Sequence, residues 1–251
     1  MPRNTIASAA TRKFAVVGTA IASSAFASLA AYADAPTLAL TLNSSTWTDR
    51  TAEGDASTGF VYSNLLEGAE GRLDYRVEVL PSGQSVLGFS FDVVNTTGAT
   101  QLYTLTSAIA VAGMPNGCLL GASIGGSVSD ANFDGTATLT SAFGNPLFWG
   151  GIDFGGPSQQ QLATLINAPF TISAPFIGGT ASVGPASIGL PGPSAPGSGF
   201  AGGFQSIALR FALTAGDRAS FSGVFVLQPV PAPSALALLT ASALIAKRRR
   251  R

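Results

Sequence analysis

The sequence contains no histidine, one cysteine and few charges, since Asp, Glu, Lys and Arg together make up 10% of its 251 residues. The lack of histidine excludes Ser-His-Asp triads, histidine-ligated zinc and most histidine general-base chemistry. Cys118 has no partner for an internal disulfide, which predicts a small buried residue, with pairing between chains as the alternative. No histidine, lysine or arginine cue near Cys118 favours a catalytic thiolate.

The charges that are present are segregated along the chain. The 13 basic and 13 acidic residues balance overall, but eight of the basic residues lie in the first 13 and last five positions. All acidic residues lie between Asp34 and Asp217, where they face five arginines and no lysine, so this central region has a net charge of −8. Phosphate contacts need clustered Lys and Arg, and the sequence therefore predicts no nucleic-acid partner.

The first 33 residues have the three parts of an export signal. Two basic residues at positions 12 and 13 precede an uncharged, mainly apolar stretch, and Ala31-Tyr32-Ala33 is an A-x-A cleavage site before Asp34. This order predicts export through the general export machinery and cleavage by signal peptidase after Ala33. An N-terminal core helix is the alternative, but it does not explain the order of basic, apolar and small segments.

The last 22 residues also have three parts. They are a motif (Val230, Pro231, Ala232, Pro233, Ser234), an uncharged Ala/Leu-rich stretch that ends at Ala246, and a basic end (Lys247, Arg248, Arg249, Arg250, Arg251). As a helix, the uncharged residues 234–246 span only ~20 Å, which is short of the ~30 Å hydrocarbon layer. Snorkelling cations and local thinning allow a marginal membrane span. The cations resist translocation, which predicts that the tail ends in the cytoplasm and the body lies outside.

This three-part tail resembles the PEP-CTERM sorting signal of Gram-negative bacteria, with Ala232 where the family motif has Glu. The resemblance implies recognition by an exosortase, a membrane transpeptidase-like cysteine protease that removes the tail near the Pro-x-Pro motif. It also implies transient anchoring in the membrane and delivery to the cell surface or an exopolysaccharide matrix. A GPI signal also ends in an apolar tail, but it does not close with a basic cluster.

Residues 34–229 form the predicted body, and period-2 alternation of apolar residues recurs along them. Three such runs, separated by turn residues, predict half-buried strands of an antiparallel meander: 73–79, 87–93 and 103–111. Residues 207–213 and 221–227 repeat the pattern around the turn Thr214-Ala-Gly-Asp217.

Two further segments of the body have other patterns. Repeated Pro and Gly over Gly178–Gly203 predict a long loop. The spacing of Leu162, Leu165 and Ile166 predicts one short helix over Ser158–Ile166. The sequence thus predicts three regions: a signal peptide (1–33), an all-β antiparallel β-sandwich of jelly-roll or Ig-like type with one short helix (34–229), and a sorting signal with a membrane helix (230–251).

The body also resembles other PEP-CTERM surface proteins, through Phe89–Thr97, Ala122–Asp130 and Leu213–Phe221. This resemblance supports a β-rich secreted domain and implies no particular activity.

One loop has the composition of a metal site. Asp130, Asn132 and Asp134, followed by Gly135, match the first half of a calcium-binding loop, but Ser141 occupies the twelfth position, where an acidic residue is expected. The sequence favours an Asx-rich turn here, and a calcium site formed by Asp130, Asn132 and Asp134 is the alternative. No other cofactor is predicted.

For the other candidate catalytic and sugar-binding residues, the sequence favours structural roles. The carboxylate pairs Asp74/Glu78 and Glu67/Glu70 could serve a glycosidase, but Asp74 and Glu78 lie on the polar side of a predicted strand. Three aromatic residues are predicted to belong to the core, with stacking on sugar rings as the alternative: Trp47, Phe148 and Trp149.

The sequence therefore predicts an exported surface or matrix protein with a structural or interaction role and no catalysis. The alternative function is a carbohydrate-binding adhesin that calcium assists, with exopolysaccharide as a partner.

Overall fold

The computed structural model describes residues 35–80 and 84–231, and the regular secondary structure in these ranges consists of β-strands. In chain order the strands are β1 (Leu38–Leu42), β2 (Ser45–Asp49), β3 (Glu53–Asp55), β4 (Gly59–Gly68), β5 (Gly71–Leu80), β6 (Ser85–Val94), β7 (Gln101–Met114), β8 (Cys118–Ser129), β9 (Ala137–Ser141), β10 (Phe148–Ile152), β11 (Gln160–Leu165), β12 (Thr171–Ala174), β13 (Thr180–Ser182), β14 (Ala186–Ile188), β15 (Ala195–Gly197), β16 (Phe200–Leu213) and β17 (Arg218–Pro229). No helix in these ranges has the length and apolar character needed to cross a membrane.

The strands form two antiparallel sheets. The first sheet has the order β11-β10-β16-β7-β1-β2, and β9 joins it through β16 and carries β12 on its other side. The second sheet has the order β13-β8-β17-β6-β5-β4-β3, and β14 and β15 also pair with β8. The predicted all-β class and antiparallel pairing are therefore confirmed.

Alternation of apolar and polar side chains decides which face of each strand is buried. In β5, the side chains of Leu73, Tyr75, Val77 and Val79 are buried, whereas those of the residues between them are exposed. The neighbouring β6 buries Leu87, Phe89, Phe91 and Val93 in the same way. Because successive side chains of a strand point to opposite faces, each sheet gains one apolar face. The predicted strands over 73–79 and 87–93 are confirmed.

Aromatic rings join the two apolar faces. Phe211 of the first sheet lies 5.0 Å, between ring centroids, from Phe221 of the second. Phe148 of the first sheet contacts Phe89 and Phe225 of the second at 6.1 and 6.5 Å. The core therefore lies between two face-to-face sheets, as expected for a β-sandwich.

The predicted meander is wrong in its third strand. Strand β6 pairs with β5 and β17, whereas β7 (residues 101–114) lies in the other sheet between β1 and β16. Likewise β16 and β17 lie in opposite sheets, so that residues 214–217 form a corner between the layers. Alternation specifies the buried face of a strand but does not specify its neighbour.

The predicted helix over Ser158–Ile166 is also wrong. Residues 160–165 form β11, which pairs with β10 and buries Ala163 and Leu165. Apolar spacing over so short a segment fits a strand as well as a helix. The predicted C-terminal membrane helix lies outside the described residues.

The predicted loop over Gly178–Gly203 contains three short strands, β13, β14 and β15, all paired with β8, and the start of β16. The three short strands lie at the edge of the second sheet, where proline is tolerated, and Pro196 belongs to β15. The rich content of Pro and Gly shortens these strands but does not prevent pairing.

Candidate functional site

A row of three buried polar residues closes one end of the sandwich. Strands β8 and β17 pair up to Ser129↔Arg218, and β6 pairs with β17 up to Val94↔Arg218. Asp130, Asp217 and Asn95 occupy the next position in each strand. Their exposed fractions are only 3%, 0% and 0%. We refer to Asn95, Asp217 and Asp130 as the polar row.

The strand register explains why these polar side chains face inward. The last apolar row of the same three strands is Val93, Ala219 and Val128, and all three residues are fully buried. The polar row lies two positions further along each strand, on the same face. Polar side chains at this position are costly unless they are hydrogen-bonded.

Both polar atoms of the buried Asn95 side chain are hydrogen-bonded. Its side-chain Nδ2 donates to the carbonyl oxygens of Ala99, Leu213 and Thr214 at 2.8, 3.0 and 3.0 Å. Its Oδ1 accepts from the amide and hydroxyl of Thr97 at 2.9 and 2.8 Å. One side chain thus holds the loop after β6 against the corner between β16 and β17.

We expect Asn95→Ala to lower the free energy of unfolding by about 2–4 kcal/mol, because three carbonyl oxygens lose a buried donor. The matched control is Asn64→Ala, since Asn64 is exposed and its side chain accepts only from the adjacent Leu65 amide. The control should change stability by less than about 0.5 kcal/mol. Thermal denaturation of the full chain measures both, and equal losses for the two variants would contradict the bracing role of Asn95.

The two carboxylates of the polar row are only half satisfied. Asp130 Oδ2 accepts from the amides of Gly135 and Gly178 at 2.9 and 3.0 Å, while Asp130 Oδ1 is buried without a hydrogen-bond partner. Asp217 Oδ2 accepts from the Thr214 hydroxyl, while Asp217 Oδ1 is likewise buried without a partner. Each carboxylate is therefore held by its loop and keeps one buried oxygen without a donor.

Electrostatics at this end are unfavourable for two negative charges. Burial raises the pKa of the Asp217 carboxyl above its ordinary value, and the neighbouring Asp134 and Asp130 act in the same direction. The ion pairs formed within the described residues are Arg76–Glu78 and Arg218–Asp92, and neither includes a member of the polar row. The row is thus a concentration of buried negative charge without a positive side chain from the described part of the protein.

Of the three residues of the alternative calcium site, Asp130, Asn132 and Asp134, only Asp130 is buried. Asn132 Oδ1 accepts from the amide of Asp134 at 3.0 Å, and Asn132 Nδ2 donates to Asp134 Oδ2 and to the Ala215 carbonyl. Hydrogen bonds from Thr136 and Asn132 lower the pKa of the exposed Asp134. These contacts form the Asx-rich turn that the sequence favours.

Among residues 35–80 and 84–231, no three acidic or cysteine side chains group closely enough to hold a metal ion. The structure instead brings Asp130 beside Asp217, a residue that sequence reasoning assigned only to a turn. The sequence does place Asp217, an acidic residue, directly before the apolar strand β17. Only the register of β8 and β17 shows that this residue lies next to Asp130.

The other candidate catalytic and sugar-binding residues lie either on the surface or against the core. Asp74, Glu78, Glu67 and Glu70 are exposed. Phe148 and Trp149 are buried, and Trp47 packs against the core while partly exposed. Cys118 is buried, and this burial raises the pKa of its thiol. The predicted core positions of these aromatic residues and of Cys118 are thus confirmed.

Several aromatic rings are exposed on the described surface. Phe133, Phe143 and Phe176 lie in loops, and Phe204 lies in β16. A shallow groove of about 420 Å³ crosses the outer face of the second sheet, and its lining includes Arg76, Glu78, Ser90 and Ser222. The ring of Phe89, the one aromatic residue at this groove, points into the core. The groove therefore lacks the aromatic platform that favours sugar stacking.

The predicted processing residues lie at the limits of the described chain. Strand β17 ends at Pro229, and the Val230 amide donates to the Gly117 carbonyl at 3.2 Å. Val230 and Pro231 are the first two residues of the predicted motif. The other predicted processing residues lie outside the described residues: Ala31, Ala33, Asp34, Ala232, Pro233, Ser234, Lys247, Arg248, Arg249, Arg250 and Arg251.

The fold defines the chain as an all-β protein of two antiparallel sheets. No family model matches it, and no curated protein matches it. Among solved structures it is similar to a chain from the "Crystal structure of infectious bursal disease virus VP2 subviral particle", at 10% identity over 86% of this chain and 85% of that chain. The TM-score of 0.10 is too low to support an inference about fold or function.

Proposed function

We propose that this chain is an exported cell-surface or extracellular-matrix protein that an exosortase-type membrane protease processes at residues 230–251. Its role is structural or interactive, and it performs no catalysis. The single observation that carries the proposal is the order of motif, short apolar stretch and basic end in this segment. Each part suits a temporary membrane stop, because the span is short and the cations resist translocation.

The position of the motif in the fold supports the same proposal. The last strand ends at Pro229, and the motif follows at once, with Val230 and Pro231 exposed. A protease at the membrane surface could therefore reach the motif without unfolding the sandwich.

Both ends of the described chain lie toward the same end of the sandwich, one in each sheet. Leu38 of β1 pairs with Ile109 of β7, and β7 continues to Met114. Pro229 of β17 pairs with Cys118, just after the turn that follows Met114. A body held through residues 230–251 therefore presents its opposite end, with the polar row, away from the membrane.

The chemistry of the body supports a role without catalysis. Without histidine, nucleophile activation would need another base, and Cys118 is a buried thiol.

We also propose that the sandwich has an Ig-like or jelly-roll topology. The alternation of β6, β7 and β8 between the two sheets supports Greek-key connections of either kind.

Mass spectrometry of the protein recovered from the surface of its native host tests the proposal. We expect the first residue to be Asp34, because Ala31 and Ala33 form the cleavage site. We expect the last residue to lie near Pro231–Pro233. An exported protein that keeps Met1 would contradict the signal peptide.

A further inference from the structure

The neighbouring positions of Asp130 and Asp217 require an explanation beyond folding. Ser129 and Arg218 are cross-strand partners, so Asp130 and Asp217 extend the same antiparallel register by one position. Like charges at directly opposite positions are destabilising even on an exposed sheet. Both carboxylates here are buried, where an unpaired charge costs far more.

The cations among the described residues form no ion pair with either carboxylate. Arg218 follows Asp217 directly, but its side chain is exposed and forms a bidentate pair with Asp92. Lysine occurs only at positions 13 and 247, far from this loop in sequence. The hydrogen bonds from Gly135 and Gly178 hold one oxygen of Asp130 and leave the other without a donor.

We propose that Asp130 and Asp217 bind one hard divalent cation, of the calcium class, through the two buried Oδ1 oxygens that lack a hydrogen-bond donor. A cation with oxygen ligands neutralises both carboxylates at once and uses the two oxygens that the protein leaves unpaired. Calcium accepts irregular sets of six to eight oxygens, including backbone carbonyls and water, whereas magnesium demands a near-ideal octahedron. The absence of histidine and the distance of Cys118 at the other end of β8 argue against softer metals.

This ligand pair shares only Asp130 with the alternative calcium site of Asp130, Asn132 and Asp134 that the sequence pattern allows. Asn132 and Asp134 use their side chains to build the turn, and they bind each other and Thr136. Two carboxylates with neutral oxygens place the affinity in the weak range of extracellular modules, with a Kd of about 10⁻⁴–10⁻³ M. The site goes beyond the proposed function, and its test does not depend on export or sorting.

Thermal denaturation of the full chain in mild detergent, after treatment with a chelator, tests the site. Adding CaCl2 to about 5 mM should raise the melting temperature by about 3–6 °C, because occupancy stabilises the native state alone. Asp217→Asn and Asp130→Asn should each lose most of this gain, since each removes one anionic ligand. Asp74→Asn should keep the gain, because Asp74 is exposed on the outer face of β5.

Calorimetric titration of the wild-type chain with CaCl2 gives a second readout that does not depend on the folding of a variant, and one ion per chain is expected. No heat of binding and no shift in melting temperature would overturn the proposal. A gain that persists in both Asp217→Asn and Asp130→Asn would also overturn it. Loss of the gain in Asp134→Ala, with Asp217→Asn unaffected, would assign the ion to Asp130, Asn132 and Asp134 instead.

Discussion

Replacing all five residues of Lys247–Arg251 by glutamine is expected to release unprocessed protein into the medium. The uncharged, Ala/Leu-rich stretch that precedes them would span only ~20 Å as a helix, so under the proposed function it is a weak membrane anchor. Under the proposed function, the cations resist translocation and keep the weak span from passing through the membrane. Without them the span passes through before the protease acts. Immunoblots of medium, membrane and surface fractions measure the change, which we expect to involve most of the protein.

The matched variant separates anchoring from processing. Replacing Pro231 and Pro233 by alanine keeps the span and the cations but removes the Pro-x-Pro motif. We therefore expect full-length protein to accumulate in the membrane fraction. Native surface protein that still ends in Arg251 would count decisively against the proposed sorting.

Phe211→Ala is expected to lower the free energy of unfolding by about 3–5 kcal/mol, the largest stability loss that we predict. Phe211 is fully buried in β16, and its ring lies 5.4 Å from that of Tyr103 and 5.0 Å from that of Phe221. Truncation removes the contact between the two sheets at this point and leaves a cavity. A loss of this size should lower the melting temperature of the full chain by roughly 6–20 °C.

Phe204→Ala is the matched control, because Phe204 lies in the same strand and has half of its side chain exposed. Its hydrogen bond to Asp153 comes from the backbone amide and survives the substitution. We expect a loss below about 1 kcal/mol. Similar losses for Phe204→Ala and Phe211→Ala would show that the core between the sheets is not where the stability of the sandwich lies.

The sorting and calcium predictions concern opposite ends of the body and fail independently. Pro229, the last residue of β17, pairs with Cys118 just after the turn between β7 and β8, whereas the polar row lies where β8 ends and β17 begins. A divalent cation at the polar row would tie the corner between the sheets to the loop after β8. Calcium would then stabilise the end of the body opposite to Val230 and Pro231, whether or not the tail is processed.

The sequence alone determined the class of the fold and the faces of its main strands. Alternation in β5 and β6 identifies the buried side chains, because successive residues of a strand must face opposite sides. The sequence also predicted burial for Cys118, Phe148 and Trp149, and the Asx-rich turn around Asn132 and Asp134. These properties depend on residue type and on near neighbours, which the sequence contains directly.

Tertiary structure alone decided which strands pair and which polar residues meet. Strand β7 carries the same alternation as β6 but lies in the other sheet, since a half-buried strand fits either layer. Residues 160–165 became strand because β10 offered an edge to pair with, although their apolar spacing also fits a helix. Asp130 and Asp217 are distant in sequence, and only the register Ser129↔Arg218 brings them side by side. Pairing and register depend on the packing of the whole sandwich, which no local pattern contains.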